Sequence, residues 1–516
     1  MPSALIIGAG LGGLEAGYML AREGFAVTIL EKNRIVGGCL QSFRRKGVLF
    51  DTGMHYVGAL GKGETMRPIM EYYGLMDLPW VQMDPDCVDE VVIDGESFSL
   101  PSGYEHFVEV LGDRFPAFRD EISAYVRGIR EAVANPAAAL RVKALEWLNS
   151  TVSDPLLRRV LSGASLRLDQ DGDTLPLYVY SRITDSFLQS GWRLRGGGQQ
   201  IVDSLAQSIE SMGGRILTGC EVTAIEENTP GKASVVTLNH GSFEADWVIS
   251  DLAPSLTLSL ASDCPSIKNI YRRRVSSLRS SWAAFTLQLH VKDLPYVNHN
   301  ICIHTPGADP WAPSPFKSFM ISYGVPVGAA EGTVSSTSLR DPFRENRRQT
   351  ERNGTCSDSR GAKEETEGNV PETVPSAAEA ETIDIITPMA WEDVAPWEGT
   401  APLRRDKSYD ELKARAAERC IDAVSGRIKG LRGGIIDSYC STPLTWQDYT
   451  GSPGGSAYGI LKDSGNLLLT MLSPRTPIQN LVLTGQNLHI HGIFGVSMTT
   501  LATCREILGK DISYNI

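Results

Sequence analysis

Two histidines near the C-terminus are the first residues of this chain whose type and spacing could do chemistry. His489 and His491 are one residue apart in LVLTGQNLHIHGIFGV, residues 481 to 496. On a strand both imidazoles would point to one face, as a metal site requires. No acidic cluster nearby completes a ligand set, so we expect loop residues and no metal.

The elements around these histidines follow from periodicity. Leu481 to Thr484 predict a buried strand that Gly485 ends. Helical spacing resumes at Val496 and continues to Gly509. The segment is therefore expected to be a strand, a loop and a helix.

A second constellation lies at the N-terminus, in ALIIGAGLGGLEAGYMLAREGFAVTILEKN. Gly8, Gly10 and Gly13 have the GxGxxG spacing between an apolar strand and a helix, where they allow a tight turn, approach of a pyrophosphate and close helix packing. The helix N-terminus offers free N–H groups to phosphates. A second strand ends in Glu31, whose carboxylate can accept hydrogen bonds from both ribose hydroxyls. The unit predicts a dinucleotide site.

A glycine pair six residues beyond the acid favours FAD over NAD. In RIVGGCLQSFRRKGVLFDTGMHYVG, Gly37 and Gly38 let the backbone run close to a second part of an extended ligand. A simple NAD domain would continue into another helix. The alternative is an ordinary glycine turn between strands.

Four motifs carry a family resemblance: GGC, FDTGMHYVG, YTGSPGGSAYG and NLVLTGQNLHIHGIFGV. They resemble the phytoene desaturase, carotenoid isomerase and retinol saturase group of FAD-dependent, amine-oxidase-like enzymes, the retinol saturases most of all. The likeness is strong over residues 4–58 and 440–509, moderate over 190–255 and thin elsewhere. It therefore covers the cofactor better than the substrate.

The resemblance implies an α/β fold, with a discontinuous Rossmann-type FAD-binding domain and an inserted α+β substrate-binding domain. The FAD domain would comprise residues 1–85, 191–255 and 430–516, and the substrate domain 86–190 and 256–429. Within 190–255, an amphipathic helix is followed by a strand entering Val222, whose backbone would touch the adenine, and ADWVISDLAP predicts a strand ending in Pro254.

The last helix would direct its N-terminus at the flavin pyrimidine, where a positive dipole stabilises negative charge. Gln486 stands where related flavoproteins often have an acid, and an amide still bonds a ribityl hydroxyl or a phosphate. The expected cofactor-binding residues are Gly8, Ala9, Gly10, Gly12, Gly13, Glu31, Lys32, Gly37, Gly38, Val222, Gly485, Gln486, Gly492, Gly495 and Val496.

The substrate domain is expected to hold a helical lid and a sheet. Residues 104–163 have apolar side chains at helical spacing, which indicates a lid packed on its own domain or, alternatively, a face that docks on a membrane. Residues 267–335 alternate apolar and polar side chains, as strands under a pocket do. Residues 340–382 are strongly polar and predict a disordered insertion, with strand character resuming at Ile383.

The cofactor suggests the chemistry. A flavin moves hydride through N5, so the protein must position a carbon atom, exclude water and handle a proton. His55, Tyr56 and His491 are the candidate proton donors, since all three lie in flavin-proximal motifs. The alternative for each is a structural hydrogen bond.

We expect an FAD-dependent oxidoreductase acting on carbon–carbon double bonds of an apolar polyene, a retinoid or carotenoid, and most closely a retinol-saturase-like reductase. A carotenoid cis–trans isomerase and a phytoene-type desaturase are the alternative enzymes. A flavin-free, prenyl-binding escort protein is the non-enzyme alternative. The FAD is expected to be non-covalent, with NAD(P)H as one candidate electron donor and the redox partner unknown.

Composition excludes some partners. With 49 Lys and Arg against 61 Asp and Glu, the net charge of −12 offers no basic stripe for nucleic acid. Nine cysteines without a CxxC pair suit a reducing compartment, which favours the cytoplasm. We predict no transmembrane helix, and peripheral membrane contact is a hypothesis.

Overall fold

The computed structural model of this protein describes residues 1–169, 172–326, 378–510 and 512. The helices are α1 (Leu11–Arg22), α2 (Arg67–Tyr72), α3 (Tyr104–Arg114), α4 (Arg119–Ala134), α5 (Pro136–Ala139), α6 (Ala144–Thr151), α7 (Pro155–Leu161) and α8 (Leu177–Gln189). They continue with α9 (Gln199–Ser211), α10 (Pro254–Leu260), α11 (Asn269–Ser276), α12 (Lys407–Ser425), α13 (Leu431–Gly434), α14 (Pro443–Thr450), α15 (Leu467–Thr470) and α16 (Gly492–Leu508).

The strands form five sheets among these residues. In chain order they are β1 (Ser3–Ile7), β2 (Ala26–Glu31), β3 (Ser42–Arg45), β4 (Val48–Asp51), β5 (Val57–Gly58), β6 (Trp80–Gln82), β7 (Asp89–Ile93), β8 (Glu96–Leu100), β9 (Gly191–Leu194) and β10 (Arg215–Thr218). The others are β11 (Val222–Thr229), β12 (Lys232–Thr237), β13 (Gly241–Glu244), β14 (Trp247–Ser250), β15 (Ala284–Val291), β16 (Asn300–His304), β17 (Ser318–Tyr323), β18 (Thr382–Pro388), β19 (Ile435–Ser441) and β20 (Leu481–Leu483).

A five-stranded parallel sheet forms the nucleotide half, in the order β10-β2-β1-β14-β20. Strand β1 is buried on both faces: Ala4 and Ile6 pack on the side of α1, and Leu5 and Ile7 on the opposite side. Such strands are apolar throughout because helices or a second layer cover both faces of a parallel sheet. The predicted strand–helix–strand unit is confirmed.

Glycine packing holds this unit together. A Cβ on Gly13 would overlap the carbonyl oxygen of Gly8, so only glycine lets the start of α1 lie this close to the end of β1. Helix α1 also packs against α9 and α16, which come from distant parts of the chain. The nucleotide half is therefore assembled from separated segments, as the resemblance implied.

The substrate half is built on a seven-stranded mixed sheet in the order β19-β15-β18-β17-β16-β7-β8. Alternation along β15 sends Phe285, Leu287 and Leu289 into the core shared with α12. The opposite face presents Ala284 and Thr286 to a cavity. For the described part of the range 267–335, which ends at residue 326, the prediction of strands under a pocket is thereby confirmed, although α11 occupies its beginning.

The predicted lid, residues 104–163, consists of α3 to α7. On α4, Ile122, Tyr125 and Ile129 are almost fully buried in the core beside α8. This stripe packs inward, as the lid interpretation expects. Membrane contact stays a prediction, and no helix within the described ranges is long and apolar enough to span a bilayer.

Three predicted element boundaries were wrong. The strand expected to end at Pro254 ends at Ser250, because Pro254 opens α10 at a position where its missing N–H costs nothing. Val222 begins β11 instead of ending the preceding strand, because Gly219 turns the chain with φ of +66°. Helix α16 begins at Gly492 instead of Val496, because its first turn faces the cavity and lacks the core periodicity.

Two predicted domain limits also need correction. Strand β19 pairs with β15 in the seven-stranded sheet, so residues 435–441 belong to the substrate half although they were assigned to the nucleotide segment 430–516. The expected insertion at 340–382 lies mostly outside the described residues. Its last part does not fit the expectation, because Glu379 pairs with Pro295 and Thr382 begins β18.

Candidate functional site

One continuous cavity of about 850 Å³ lies between the two main sheets. It starts at the carboxyl ends of the parallel strands, where Glu31 ends β2 and Asp251 follows β14, and reaches Met320 and Ile386 on the seven-stranded sheet. Ligands of open parallel sheets bind at this edge. The cavity therefore joins a nucleotide end to an apolar end.

The glycine loops form the wall at the nucleotide end. Of the expected cofactor-binding residues, those that line the cavity are Gly8, Gly10, Gly12, Glu31, Lys32, Gly37, Gly38, Val222, Gln486, Gly492 and Val496. Ala9 and Gly13 lie behind this wall. Ala9 donates its N–H to the Glu31 carboxylate over 2.9 Å, and Gly13 provides the close helix packing.

Glu31 is held in place by the backbone. Its second carboxylate oxygen accepts the N–H of Asn33 at 2.8 Å, and the residue is 6% exposed. A carboxylate fixed at the end of β2 suits the hydroxyls of a ribose, as the sequence predicted.

The glycine pair Gly37 and Gly38 packs against the first glycine loop. Gly37 and Gly38 have positive φ angles of +127° and +53°, and the N–H of Gly37 donates to the carbonyl of Ala9 over 2.8 Å. A Cβ on Gly38 would come within 3.3 Å of the Cα of Gly10. The pair therefore forms cavity wall instead of a free turn between strands.

The C-terminal unit closes the nucleotide end from the other side. Gly485 and Gly495 do not line the cavity: a Cβ on Gly12 would lie 3.1 Å from the Gly485 Cα, and a Cβ on Gly495 would overlap the carbonyl of Ile490. These two glycines allow close packing. The N-termini of α1 and α16 both meet the cavity, so two positive helix ends face it. The glycine cradle, Glu31 and these helix ends fit FAD.

Asp251 is a wall residue that the sequence analysis missed. It follows β14 directly and lines the cavity. Burial, and next the negative charge of Glu31, raise the pKa of Asp251 to about 7, while the N–H of Gly13 acts in the opposite direction. A carboxylate directly after a buried parallel strand was the available signal, and it was hidden by the assumption that the strand ran to Pro254.

His55 lies between the nucleotide end and the apolar end. Its Nδ1 is 3.4 Å from a carboxylate oxygen of Asp384 on β18, and both side chains are about nine-tenths buried. The second Asp384 oxygen is buried without a hydrogen-bond partner among the described residues. Burial, partly offset by hydrogen bonds from Ser42 and Gly198, raises the pKa of nearby Asp51 to about 6. Two carboxylates therefore accompany this imidazole.

Tyr56 occupies the next position on the wall. Its ring packs 4.4 Å from that of Phe187, and its hydroxyl is buried. Burial, and next the charge of Asp89, raise the pKa of Tyr56 well above its ordinary value. Asp89 is itself paired with Arg167 at 2.7 Å. Tyr56 therefore remains a neutral phenol and a weak acid.

His491 lies beneath an aromatic ring. Its imidazole stacks on Tyr458 at 4.0 Å between centroids, and Nε2 is 3.0 Å from the carbonyl oxygen of Arg167. A carbonyl only accepts, so Nε2 carries the proton. Burial lowers the pKa of His491, which leaves a neutral ring with its single N–H already used.

His489 does not reach the cavity wall. Burial, and next the positive charge of Lys462, lower the pKa of His489. Both histidines lie in the loop before α16, where they were predicted. Within the described ranges no group of three or more His, Cys, Asp or Glu side chains is arranged to hold a metal ion.

Known proteins resemble this chain in sequence and in fold. The family of flavin containing amine oxidoreductases matches residues 11–255. Human all-trans-retinol 13,14-reductase is 23% identical over 98% of this chain and 86% of its own length. Phytoene desaturase of Cercospora nicotianae is 27% identical over 55% of this chain and 51% of its own. Cyclohexylamine oxidase of Brevibacterium oxydans superposes with a TM-score of 0.59 at 15% identity, over 99% of this chain and 100% of its own, and shows the fold.

The fold and the site define an FAD-dependent oxidoreductase with an amine-oxidase-like architecture. The resemblance to the phytoene desaturase, carotenoid isomerase and retinol saturase group is confirmed. The enzyme interpretation is therefore confirmed over that of a flavin-free escort protein.

Proposed function

We propose that this enzyme reduces a carbon–carbon double bond of an apolar polyene, a retinoid or a carotenoid, as a retinol-saturase-like reductase. The observation that carries the proposal is a single cavity joining the FAD site to an apolar chamber. The nearly full-length similarity to all-trans-retinol 13,14-reductases supports the retinoid class.

The apolar end suits a conjugated chain. Thr286, Ile386 and Met320 are register neighbours on three adjacent strands and form part of one wall. Further wall residues come from α8, the loop before α16 and the first turn of α16; they include Ile183, Phe187, Ile490, Ile493 and Phe494. The Arg167 and Arg182 guanidinium groups, which line the same cavity, lie over the Phe187 and Phe494 rings, so we propose that recognition combines burial of apolar surface with a few polar contacts.

His55 is the proposed proton donor. It lines the cavity where the nucleotide end meets the apolar end, and Asp384 holds its Nδ1 side, which leaves Nε2 for the substrate. The N–H of His491 is already donated to the Arg167 carbonyl, so His491 is a positioning residue that supports Tyr458. Of the three predicted donors, we therefore assign the role to His55.

Bound FAD would supply hydride transfer through its N5. The chain's own part is to bring a polyene carbon to the ring, exclude water with the lid, and deliver one proton to the other carbon of the double bond. His55 donates from its imidazolium form, whose positive charge the Asp384 and Asp51 carboxylates stabilise, and the loss of the Nε2 proton leaves the ring neutral until it takes up another from solvent. One hydride and one proton saturate one double bond.

The FAD is proposed to be non-covalent. Burial raises the pKa of Cys39, a thiol on the cavity wall, to about 11. A protonated thiol is a poor nucleophile toward the flavin. Acid precipitation should therefore release all of the flavin into the supernatant, and a yellow pellet would contradict this.

An anaerobic single-turnover experiment tests the function. The purified holoenzyme is reduced and mixed with all-trans-retinol or a carotenoid, and flavin absorbance and extracted lipid are followed together. Reoxidation of the flavin with loss of one double bond supports the proposal. A changed double-bond geometry with the flavin still reduced would identify an isomerase, and desaturation by oxidised enzyme would identify a desaturase.

The electron donor is tested in the same apparatus. We propose NAD(P)H, either directly or through a redox partner, in the cytoplasm. Bleaching of the flavin by NADPH or NADH under anaerobic conditions supports direct reduction. A flavin that bleaches only when a reductase is added would assign the role to a partner protein.

A further inference from the structure

The carboxylate of Asp251 lies among the glycines that form the phosphate wall. Its two oxygens lie 2.7 Å and 2.5 Å from the points where a Cβ on Gly10 and a Cβ on Gly12 would stand. A Cβ on Gly485, from the loop after β20, would meet the same carboxylate. One acidic side chain therefore occupies the place where three glycines from two distant segments converge.

A dinucleotide needs this place for its phosphates. Helix α1 begins at Leu11, so the positive end of its dipole faces the same space, where the Gly13 N–H is hydrogen-bonded to the Asp251 carboxylate. A carboxylate and a pyrophosphate a few ångströms apart repel each other strongly where water is excluded. Asp251 has a short side chain on backbone that is fixed by the bond from its N–H to the Ile7 carbonyl at 2.9 Å. Gaining a proton is therefore the simplest way for it to accept the phosphates.

The negative charge of the buried Glu31 on β2 increases the preference of Asp251 for a proton. Glu15 on α1 and the Cys39 thiol, whose pKa values burial raises to about 8 and about 11, are uncharged near neutral pH and add no repulsion. Lys32 on the same wall donates its Nζ to the Asp448 carbonyl over 2.9 Å. Burial, opposed by the hydrogen bond from the Gly13 N–H and reinforced by the charge of Glu31, already raises the pKa of Asp251 to about 7 before any phosphate is present.

We propose that Asp251 makes FAD binding proton-linked: the protein takes up one proton from solvent on this carboxyl group as the pyrophosphate enters. The neutral carboxyl group then donates a hydrogen bond instead of repelling the phosphates. The inference requires that the cavity binds FAD and is independent of which substrate the enzyme reduces.

The direction of the pH dependence follows from linkage. The proton is held more tightly in the complex than in the free protein, so FAD affinity must fall as pH rises. Below the free-protein pKa of about 7 the carboxyl group is already protonated, and affinity is constant. Above it, the dissociation constant rises by about tenfold per pH unit until the complex also loses the proton.

Release of FAD from the holoenzyme measures this directly. The protein is dialysed to equilibrium at several pH values from about 6 to about 9, and free FAD is quantified by fluorescence. The expected wild-type dissociation constant rises above about pH 7, and Asp251→Asn gives a flat profile with tighter binding than wild type at the alkaline end. Titration calorimetry in two buffers of different ionisation enthalpy should count about one proton taken up at pH 8.

Glu15→Gln is the matched control, because Glu15 is a buried acid beside Asp251 that does not line the cavity. It should keep the wild-type slope. A flat wild-type profile, an unchanged slope in Asp251→Asn, or a slope lost only in Glu15→Gln would each overturn the proposal. If Asp251→Asn does not fold, the calorimetric proton count on the wild-type protein decides, and a count near zero rejects it.

Discussion

The two ends of the cavity are built in opposite ways. At the nucleotide end, residues 8–38 supply the glycine loop, the acid and the glycine pair in chain order on β1, α1 and β2. At the apolar end, neighbouring wall residues come from β15, β17, β18, α8 and the loop before α16, which are far apart in the chain.

The difference reflects what each end recognises. Phosphates and ribose are held by backbone N–H groups and one carboxylate, which require glycines and an acid at fixed spacing. An apolar chain is recognised by shape, which many combinations of apolar side chains provide. A sequence motif therefore identifies the cofactor, whereas the shape of the substrate site depends on how the two sheets pack against each other.

The variant with the largest expected effect lowers the catalytic rate and leaves FAD binding unchanged. His55→Gln should lower kcat about a hundredfold or more, because general acid catalysis contributes that much, while flavin content stays unchanged. Single-turnover reoxidation of the flavin and its absorbance per protein measure the two quantities. His491→Gln should lower kcat less than tenfold, because the His491 N–H is already donated to the Arg167 carbonyl. A larger loss in His491→Gln would reverse the assignment of the proton donor.

The next variant changes only the nucleotide end of the cavity. Gly13→Ala forces a Cβ against the Gly8 carbonyl, so α1 must shift, and FAD should bind up to about a hundredfold more weakly. Equilibrium dialysis with flavin fluorescence measures this. Gly426→Ala, at a helix end with open space around the Cβ position, is the control and should bind FAD normally. Normal binding by Gly13→Ala would contradict the role of close helix packing.

A smaller effect tests the connection between the ends. Asp384→Asn should lower kcat about tenfold by misplacing His55, with KM and the dissociation constant of FAD unchanged. Asp384→Glu should restore part of kcat. If both variants lower stability and leave kcat intact, Asp384 has a structural role only.

The smallest effects concern stability, whose dependence on pH has opposite signs in the two halves of the protein. Burial raises the pKa of Glu15 to about 8, so its proton is lost more readily from the unfolded chain and the folded state loses stability as pH rises from 4.5 to about 8. Burial lowers the pKa of His304 on β16 below 6.5, so stability is lost as pH falls below that value. The two halves therefore limit the protein at opposite pH extremes.

Thermal melts across pH measure these slopes. Glu15→Gln should raise Tm by roughly 2 °C at alkaline pH and flatten the alkaline limb. His304→Gln should flatten the acid limb, whatever its effect on the baseline, because it removes the group that takes up the proton. His240→Gln, at an exposed position, should leave both limbs unchanged. Equal slopes in all variants would show that Glu15 and His304 do not contribute to the pH dependence of stability.

The sequence by itself determined the nucleotide unit, Glu31, the loop that holds His489 and His491, and the presence of FAD. Each depends on local regularity: an apolar period, a glycine spacing, or an acid at the end of a strand, and such patterns survive without knowledge of the fold.

Only the tertiary structure decided the rest. Asp251 reaches the phosphate wall because β14 lies beside β1, and Asp384 on β18 contacts His55 although the two residues lie far apart in the chain. Strand β19 joined the substrate sheet by pairing with β15, although its residues lie nearest in sequence to nucleotide motifs. Contacts between residues hundreds of positions apart depend on the packing of whole sheets, and no spacing within a single segment encodes them.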